Sequence, residues 1–236
     1  MSPTGHDMQT FGLGQDAAAG SRPAIVGIGA AAGGLEALEA LTRRLTGSGL
    51  AFVIMERISR RRPALADILA RHAALPVITA EDGMPVEADH IYVAPHRTEI
   101  AIRHGVLRLG EARPGHPQPI DAMLYTLAAD LGNRAIGVVL SGAGDDGTLG
   151  LQAIREADGI AFVQDPSTAR RPDMPRSARH AGVADFVLRP EQIAEELIWL
   201  SQHPYIAARR QQRLDDDTRN RLFLLMHRAF GVDFAG

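Results

Sequence analysis

Residues 25–34, Ile-Val-Gly-Ile-Gly-Ala-Ala-Ala-Gly-Gly, are a short β-branched run that passes directly into a loop of small residues. Apolar residues at helical spacing follow this loop, at Leu35, Leu38, Leu41 and Leu45. A strand that turns through glycines into a helix is typical of a parallel α/β sheet. The turn leaves backbone N–H groups at the start of the helix, where an anion or oxyanion is favoured.

The rest of the chain repeats this alternation. Strands are predicted at 24–28, 51–55, 91–94, 136–140, 160–163 and 185–188, and helices at 35–45, 63–72, 119–131, 149–157 and 191–200. Two further runs, 99–102 and 106–109, predict an antiparallel hairpin. We therefore predict an α/β fold with a doubly wound, mostly parallel, Rossmann-like sheet, helices on both faces and one hairpin. Ligands of such sheets bind beyond the carboxyl ends of the strands, so the loops after the strands are the candidate site.

The composition excludes several kinds of chemistry. The 236 residues include no Cys, and all 25 residues counted as Lys or Arg are Arg. A thiol nucleophile, a disulfide, a Cys-ligated zinc, a Schiff-base lysine and a P-loop lysine are therefore excluded. The formal net charge of −3 gives no reason to expect nucleic acid or an anionic membrane as a partner.

Three segments are predicted along the chain. Residues 1–22 are rich in Gly, Ala and polar residues, resemble no signal peptide and are expected to be a disordered tail. Residues 23–200 are expected to form the α/β domain, and 201–236 a linker and a helix. The longest apolar runs are much shorter than the ~20 residues of a membrane helix, so a cytoplasmic location is expected.

Two loops leave several interpretations open. The first approaches the Gly-x-Gly-x-x-Gly spacing, with Glu56 22 residues after Gly34, as in dinucleotide-binding proteins. The same loop could instead raise a nucleophile or be a plain tight turn. The loop at 141–148, Ser-Gly-Ala-Gly-Asp-Asp-Gly-Thr, contains two carboxylates that could orient a base, ligate a metal or cap the helix that begins near Thr148.

These loops and several other stretches together resemble the catalytic domain of the chemotaxis receptor methylesterase family (CheB). The matching stretches fall between about Ile25 and Pro190 and lie at 27–34, 80–86, 91–95, 119–121, 137–147, 164–165 and 174–176. The resemblance implies a Rossmann-like sheet and hydrolysis of γ-glutamyl methyl esters on receptors, with release of methanol. It also implies a Ser/His/Asp triad and neither a metal nor a dinucleotide cofactor.

The resemblance assigns the triad residue by residue, and two of its members are changed. The nucleophilic Ser corresponds to Ala31, the base His corresponds to Arg57, and the orienting acid is retained as Asp146. The position before the base, commonly Gln, is Glu56. The resemblance places these residues at the oxyanion site and cleft: Ala32, Gly33, Ala143, Gly144, Glu56 and Met174. Ala32 stands where Thr is common, and Ala143 where Met is common.

A site with Ala31, Arg57 and Asp146 at the triad positions should not catalyse the reaction of the family. Acyl transfer needs a hydroxyl group that attacks and a base of near-neutral pKa that takes its proton. Ala31 offers a methyl group, and Arg57 stays protonated. Since both positions are changed, natural degeneration explains them better than one laboratory substitution. We therefore predict a catalytically degenerate module of bacterial chemotaxis signalling that acts in binding or domain organisation.

The sequence allows two positions for the guanidinium of Arg57. We predict that its guanidinium forms an ion pair with Asp146 in the former site. The alternative is that it points to solvent together with the arginines at 60–62. A displaced nucleophile, Ser141 or Ser59 with His96 or His72 as its base, is a further alternative.

The C-terminal residues carry a separate resemblance. Residues 219–226 and 230–234 resemble the beginning of the receptor methyltransferase family (CheR). The expected partners are receptor or signalling-protein segments, and methyltransferase-like and kinase domains of one longer chain. The apolar residues within 218–230 also suggest self-association.

Overall fold

The computed structural model describes residues 23–57, 64–111 and 118–202. In these ranges, seven strands form one sheet in which every neighbouring pair is parallel. Its strands are β1 (Ile25–Ala30), β2 (Ala51–Glu56), β3 (Val77–Thr79), β4 (Ile91–Val93), β7 (Ala135–Val139), β8 (Ile160–Gln164) and β9 (Phe186–Leu188). Their order is β3-β4-β2-β1-β7-β8-β9. A separate antiparallel hairpin joins β5 (Thr98–Arg103) to β6 (Val106–Glu111).

Helices cover both faces of the sheet, which confirms the predicted fold class. The described helices are α1 (Leu35–Thr42), α2 (Leu65–Leu69), α3 (Pro119–Leu131), α4 (Thr148–Glu156), α5 (Asp173–His180) and α6 (Pro190–Gln202). Successive side chains of β1 point to opposite faces, so Ile25 packs in one hydrophobic core and Val26 in the other. One core contains residues of α3, α4, α5 and the hairpin, and the other contains residues of α1, α2 and α6.

Two elements were missed by the sequence patterns. Strand β3 has three residues at the edge of the sheet, too few to show an alternation. Helix α5 contains Pro175 and buries only Met174, Pro175 and Ala178, so it shows no apolar stripe of several turns. The predicted helix at 63–72 is limited, among the described residues, to α2.

The predicted domain boundaries stay predictions, because 1–22 and 203–236 lie outside the described residues. The methyltransferase-like stretches at 219–226 and 230–234 fall in the second of these segments. Across the described parts of the chain, no helix has the length and apolar character needed to cross a membrane.

Candidate functional site

The ends of three neighbouring strands bring the predicted site together. Strands β1 and β2 pair with Ala30 opposite Glu56, so the residues that follow them are neighbours at one edge of the sheet. The N–H of Arg57 donates to the carbonyl of Ala30 at 2.8 Å. The N–H of Ala31 donates to the carbonyl of Ser141, just beyond β7, at 2.9 Å. The nucleophile and base positions of the resemblance therefore lie side by side, next to the loop that contains Asp146.

The carboxylate of Asp146 is buried at the beginning of α3. Its Oδ1 accepts a hydrogen bond from the N–H of Asp121 at 3.0 Å, and its Oδ2 accepts one from the N–H of Ile120 at 3.4 Å. Asp146 thus caps α3, and the interpretation that it caps the helix near Thr148 is wrong. The first turns of α3 and α4 lie against each other, so the carboxylate of Asp146, just before α4, reaches the N–H groups of α3.

Helix α4 is capped by a residue that sequence reasoning did not select. Oδ1 of Asp121 accepts a hydrogen bond from the N–H of Gly150 at 2.6 Å, and Asp121 is buried. The two aspartates therefore cap each other's helices. Asp146, just before α4, caps α3, and Asp121, in the first turn of α3, caps α4. The signal in the sequence was a charged residue on the buried face of α3, directly after Ile120.

Arg57 occupies the cleft and contacts the retained acid. Its Nε lies 3.6 Å from Oδ2 of Asp146, and its Nη2 donates to the carbonyl of Ala143 at 2.6 Å. The side chain of Arg57 is 32% exposed, whereas that of Asp146 is fully buried. The predicted ion pair is confirmed, and the alternative in which Arg57 points to solvent is wrong. The arginines at 60–62 lie outside the described residues.

Burial governs the protonation of Asp146. Loss of solvent raises the pKa of Asp146 from 3.8 to about 6, although the N–H of Asp121 and the charge of Arg57 both lower it. The nearby carboxylate of Asp121 adds to the increase, and burial raises the pKa of Asp121 as well. The acid therefore keeps its proton to a higher pH in the folded protein than in the unfolded chain.

This shift predicts a pH dependence of stability. Between about pH 4 and about pH 6 the folded state holds more protons at Asp146 than the unfolded state, so ionisation of Asp146 lowers the free energy of unfolding as the pH rises. Between about pH 5 and about pH 7.5 this loss should be about 1 kcal/mol. Urea unfolding at both pH values should show a loss about 1 kcal/mol larger for the unmodified chain than for Asp146→Asn, because Asp121, whose pKa is also raised, still titrates in both proteins. An equal change in both proteins would contradict the assignment to Asp146.

The nucleophile position lies in a packed environment. Ala31 is 1% exposed. A Cβ atom added at Gly142 would collide with Sδ of Met174 and lie 2.8 Å from Cβ of Ala31, so Met174 and Ala31 both pack on this glycine. Met174 is thus beside the nucleophile position, where the resemblance places it.

The glycines of the site have conformations and neighbours that other residues would disturb. Gly33 has φ +75°, and a Cβ there would lie 2.9 Å from Cβ of Arg170. Gly144 has φ +90°, and its added Cβ would lie 3.6 Å from Nη2 of Arg57. Left-handed backbone at both positions favours glycine. The carbonyl of Ala32 accepts a hydrogen bond from Oγ of Ser141 at 3.2 Å, which connects the loop after β1 to the loop after β7.

A displaced catalytic pair is not seen in the described residues. Ser141 is buried, and its Oγ is engaged by the carbonyls of Ala32 and Arg171 and by the N–H of Arg171. No serine donates to or accepts from a histidine within 23–57, 64–111 and 118–202. His96 and His72 are exposed, His72 lies beyond the end of α2, and Ser59 is outside the described residues.

Two contacts disfavour a dinucleotide at the loop after β1. The stem of Arg170 covers Gly33, where a pyrophosphate would approach the backbone. Oε1 of Glu56 is buried, so this oxygen is closed to a ribose hydroxyl. For a metal, the described ranges hold no group of three or more His, Cys, Asp or Glu side chains that could bind one.

Comparison with known proteins identifies the family. The sequence profile of the CheB methylesterase family matches residues 26–197. The chain belongs to the CheB methylesterase family. The crystal structure of the CheB methylesterase catalytic domain of Thermotoga maritima superimposes with a TM-score of 0.69 at 28% identity, covering 75% of this chain and 98% of that one.

Relatives of the CheB family differ widely in length. A putative protein-glutamate methylesterase/protein-glutamine glutaminase of Leptospira interrogans is 35% identical over 181 residues, which cover 75% of this chain and 94% of that protein. A Xanthomonas campestris protein-glutamate methylesterase/protein-glutamine glutaminase is 33% identical over 184 residues, which cover 75% of this chain and 51% of that protein. An uncharacterized 104.1 kDa protein of Rhodobacter capsulatus is 41% identical over 140 residues, which cover 59% of this chain and only 14% of that protein.

Proposed function

We propose that this CheB-family module binds signalling partners without hydrolysing glutamyl methyl esters. The observation that carries the proposal is the contact between Arg57 Nε and Asp146 Oδ2 at 3.6 Å, beside the methyl group of Ala31. In a Ser/His/Asp triad, the acid orients an imidazole that takes a proton from the serine hydroxyl. Here the acid holds a permanently charged guanidinium, and there is no hydroxyl at the position of attack.

The expected loss of rate is large. Removing members of such a triad typically lowers the turnover rate ~10⁴- to 10⁶-fold and leaves only the contributions of substrate binding and of the oxyanion site. In this chain both the nucleophile and the base are replaced. The fold, the acid and the glycine loops are retained, which supports a role that depends on the shape of the domain.

The role in binding fits a module of a larger signalling protein. The segment that matches this chain makes up 14% of the 104.1 kDa relative. We propose that the module serves bacterial chemotaxis or a related sensory system in the cytoplasm. Its partners would be receptor or signalling-protein segments, methyltransferase-like or kinase domains of the same longer chain, and a second copy through 218–230.

The purified chain should bind methylated chemoreceptor but release no methanol from it above the rate in buffer, because the site contains neither nucleophile nor base. Methanol release is the direct measurement, with the Thermotoga maritima CheB catalytic domain as the positive control. Binding to the same receptor is measured by co-sedimentation. Turnover by the unmodified chain would refute the proposed loss of catalysis.

A further inference from the structure

An arginine-rich surface lies beside the former catalytic cleft. Residues 165–189 contain five arginines and three aspartates, whereas the whole chain contains 28 acidic and 25 basic residues. The local charge is therefore opposite to the net charge of the chain. All five arginines are exposed, and we call them the arginine surface: Arg170, Arg171, Arg176, Arg179 and Arg189.

Packing of α5 determines how this surface is presented. The helix buries Met174, Pro175 and Ala178 against the domain. Arg176 and Arg179 are three residues apart, so they are neighbours on the opposite, outward side of the helix. Within the described ranges, neither forms an ion pair or a side-chain hydrogen bond, so both guanidinium groups are available to a partner.

The beginning of α5 is fixed to the cleft. The N–H of Gly142 donates to the carbonyl of Arg171 at 2.9 Å, and the N–H of Met174 donates to the carbonyl of Gly142 at 3.0 Å. The stem of Arg170 lies over Gly33, and its Nη1 pairs with Glu36 at 2.7 Å. The arginine surface therefore continues from the rim of the cleft along α5.

The other end of the surface converges on one aspartate. Hydrogen bonds from Ser167 lower the pKa of Asp165, and the charges of Arg189 and Arg179 lower it further. Two arginines from different elements, one on α5 and one after β9, thus lie close enough to act on the same carboxylate.

We infer that the arginine surface binds an acidic segment of a partner protein, laid along α5 at the rim of the cleft. The inference rests on the proposed function, because it supplies the partner chemistry of a module that binds without turnover. Guanidinium groups bind carboxylates through paired, charge-assisted hydrogen bonds. Spaced carboxylates of a peptide can avoid Asp165 and Asp173, whereas the continuous phosphates of a nucleic acid would be repelled by them.

The test uses the full chain and a fluorescein-labelled peptide of repeating Glu and Ala, followed by fluorescence anisotropy. An otherwise identical peptide with Gln in place of Glu is the uncharged control. Exchanging two cations for anions by Arg176→Glu and Arg179→Glu should weaken binding at least about tenfold, and added salt should weaken it in the unmodified chain. Arg43→Glu with Arg108→Glu changes the net charge equally at two exposed arginines elsewhere and should leave binding nearly unchanged.

Several results would overturn the inference: equal loss in the Arg43/Arg108 variant, equal binding of the Gln peptide, or tighter binding of duplex DNA than of the Glu peptide. Circular dichroism and the thermal midpoint establish that each variant is folded. The outcome is separate from that of the methanol assay. Absence of peptide binding together with absence of turnover removes only this inference, whereas turnover with peptide binding removes only the loss of catalysis.

Discussion

The double variant Ala31→Ser, Arg57→His is expected to release methanol from methylated receptor at least about 100-fold faster than the unmodified chain. The variant restores the missing hydroxyl and a base that can lose its proton near neutral pH. The third member is already in place, because Asp146 is held by the N–H groups of Ile120 and Asp121. Residues 31 and 57 are neighbours through the register of β1 and β2.

Geometry supports an imidazole at position 57. Nδ1 of histidine, the nitrogen that faces the acid in a Ser/His/Asp triad, is separated from Cα by two side-chain carbons, one fewer than Nε of arginine. Since Nε of Arg57 lies 3.6 Å from Oδ2 of Asp146, a histidine nitrogen can approach the same carboxylate with a small adjustment. A rate below that of an intact family enzyme is expected, because Ala143 and Glu56 differ from the residues that are common there.

The single variants separate the two requirements. Ala31→Ser alone leaves a permanently charged guanidinium beside the new hydroxyl, and Arg57→His alone leaves a methyl group, so each should stay near the rate of the unmodified chain. Ala32→Ser with Arg57→His is the matched control, since it places the hydroxyl one residue away. A folded but inactive Ala31→Ser, Arg57→His protein would mean that catalysis was lost at further positions. Activity of either single variant would contradict the assigned roles.

The sequence predicted the strands and helices of this molecule better than it predicted the polar contacts. The parallel sheet follows from alternating buried strands and amphipathic helices, and the contact of Arg57 with Asp146 follows from two loops that meet at one edge of the sheet. The capping role of Asp121 could not be predicted in this way. A carboxylate on the apolar face of a helix can be assigned as a cap only when the start of the neighbouring helix is known to lie beside it. Helix α5 was missed because its stability comes from packing of Met174 and Ala178 rather than from a repeating pattern.

Asp146→Ala is expected to lower the free energy of unfolding by about 3 kcal/mol. The substitution leaves the N–H groups of Ile120 and Asp121 without their acceptors in a buried place and removes a filled volume. Asp145→Ala removes an exposed neighbouring carboxylate, which among the described residues accepts only from Gln118 at 3.3 Å, and should cost less than about 0.5 kcal/mol. Urea unfolding of both variants at the same pH is the measurement.

Repeating the measurement in an Arg57→Ala background distinguishes two possible roles of Asp146, the cap of α3 and the partner of the ion pair. If Asp146 is needed as a cap of α3, its removal should cost nearly the same free energy in an Arg57→Ala background, because the two N–H groups lose their acceptor in either case. If the ion pair were the reason, most of the cost would disappear once Arg57 is removed. We expect the first result, since backbone N–H groups buried at a helix start are more costly to leave unpaired than a guanidinium that is one-third exposed. In that case the last member of the triad persists for the stability of the fold, and its presence alone is no sign of catalysis.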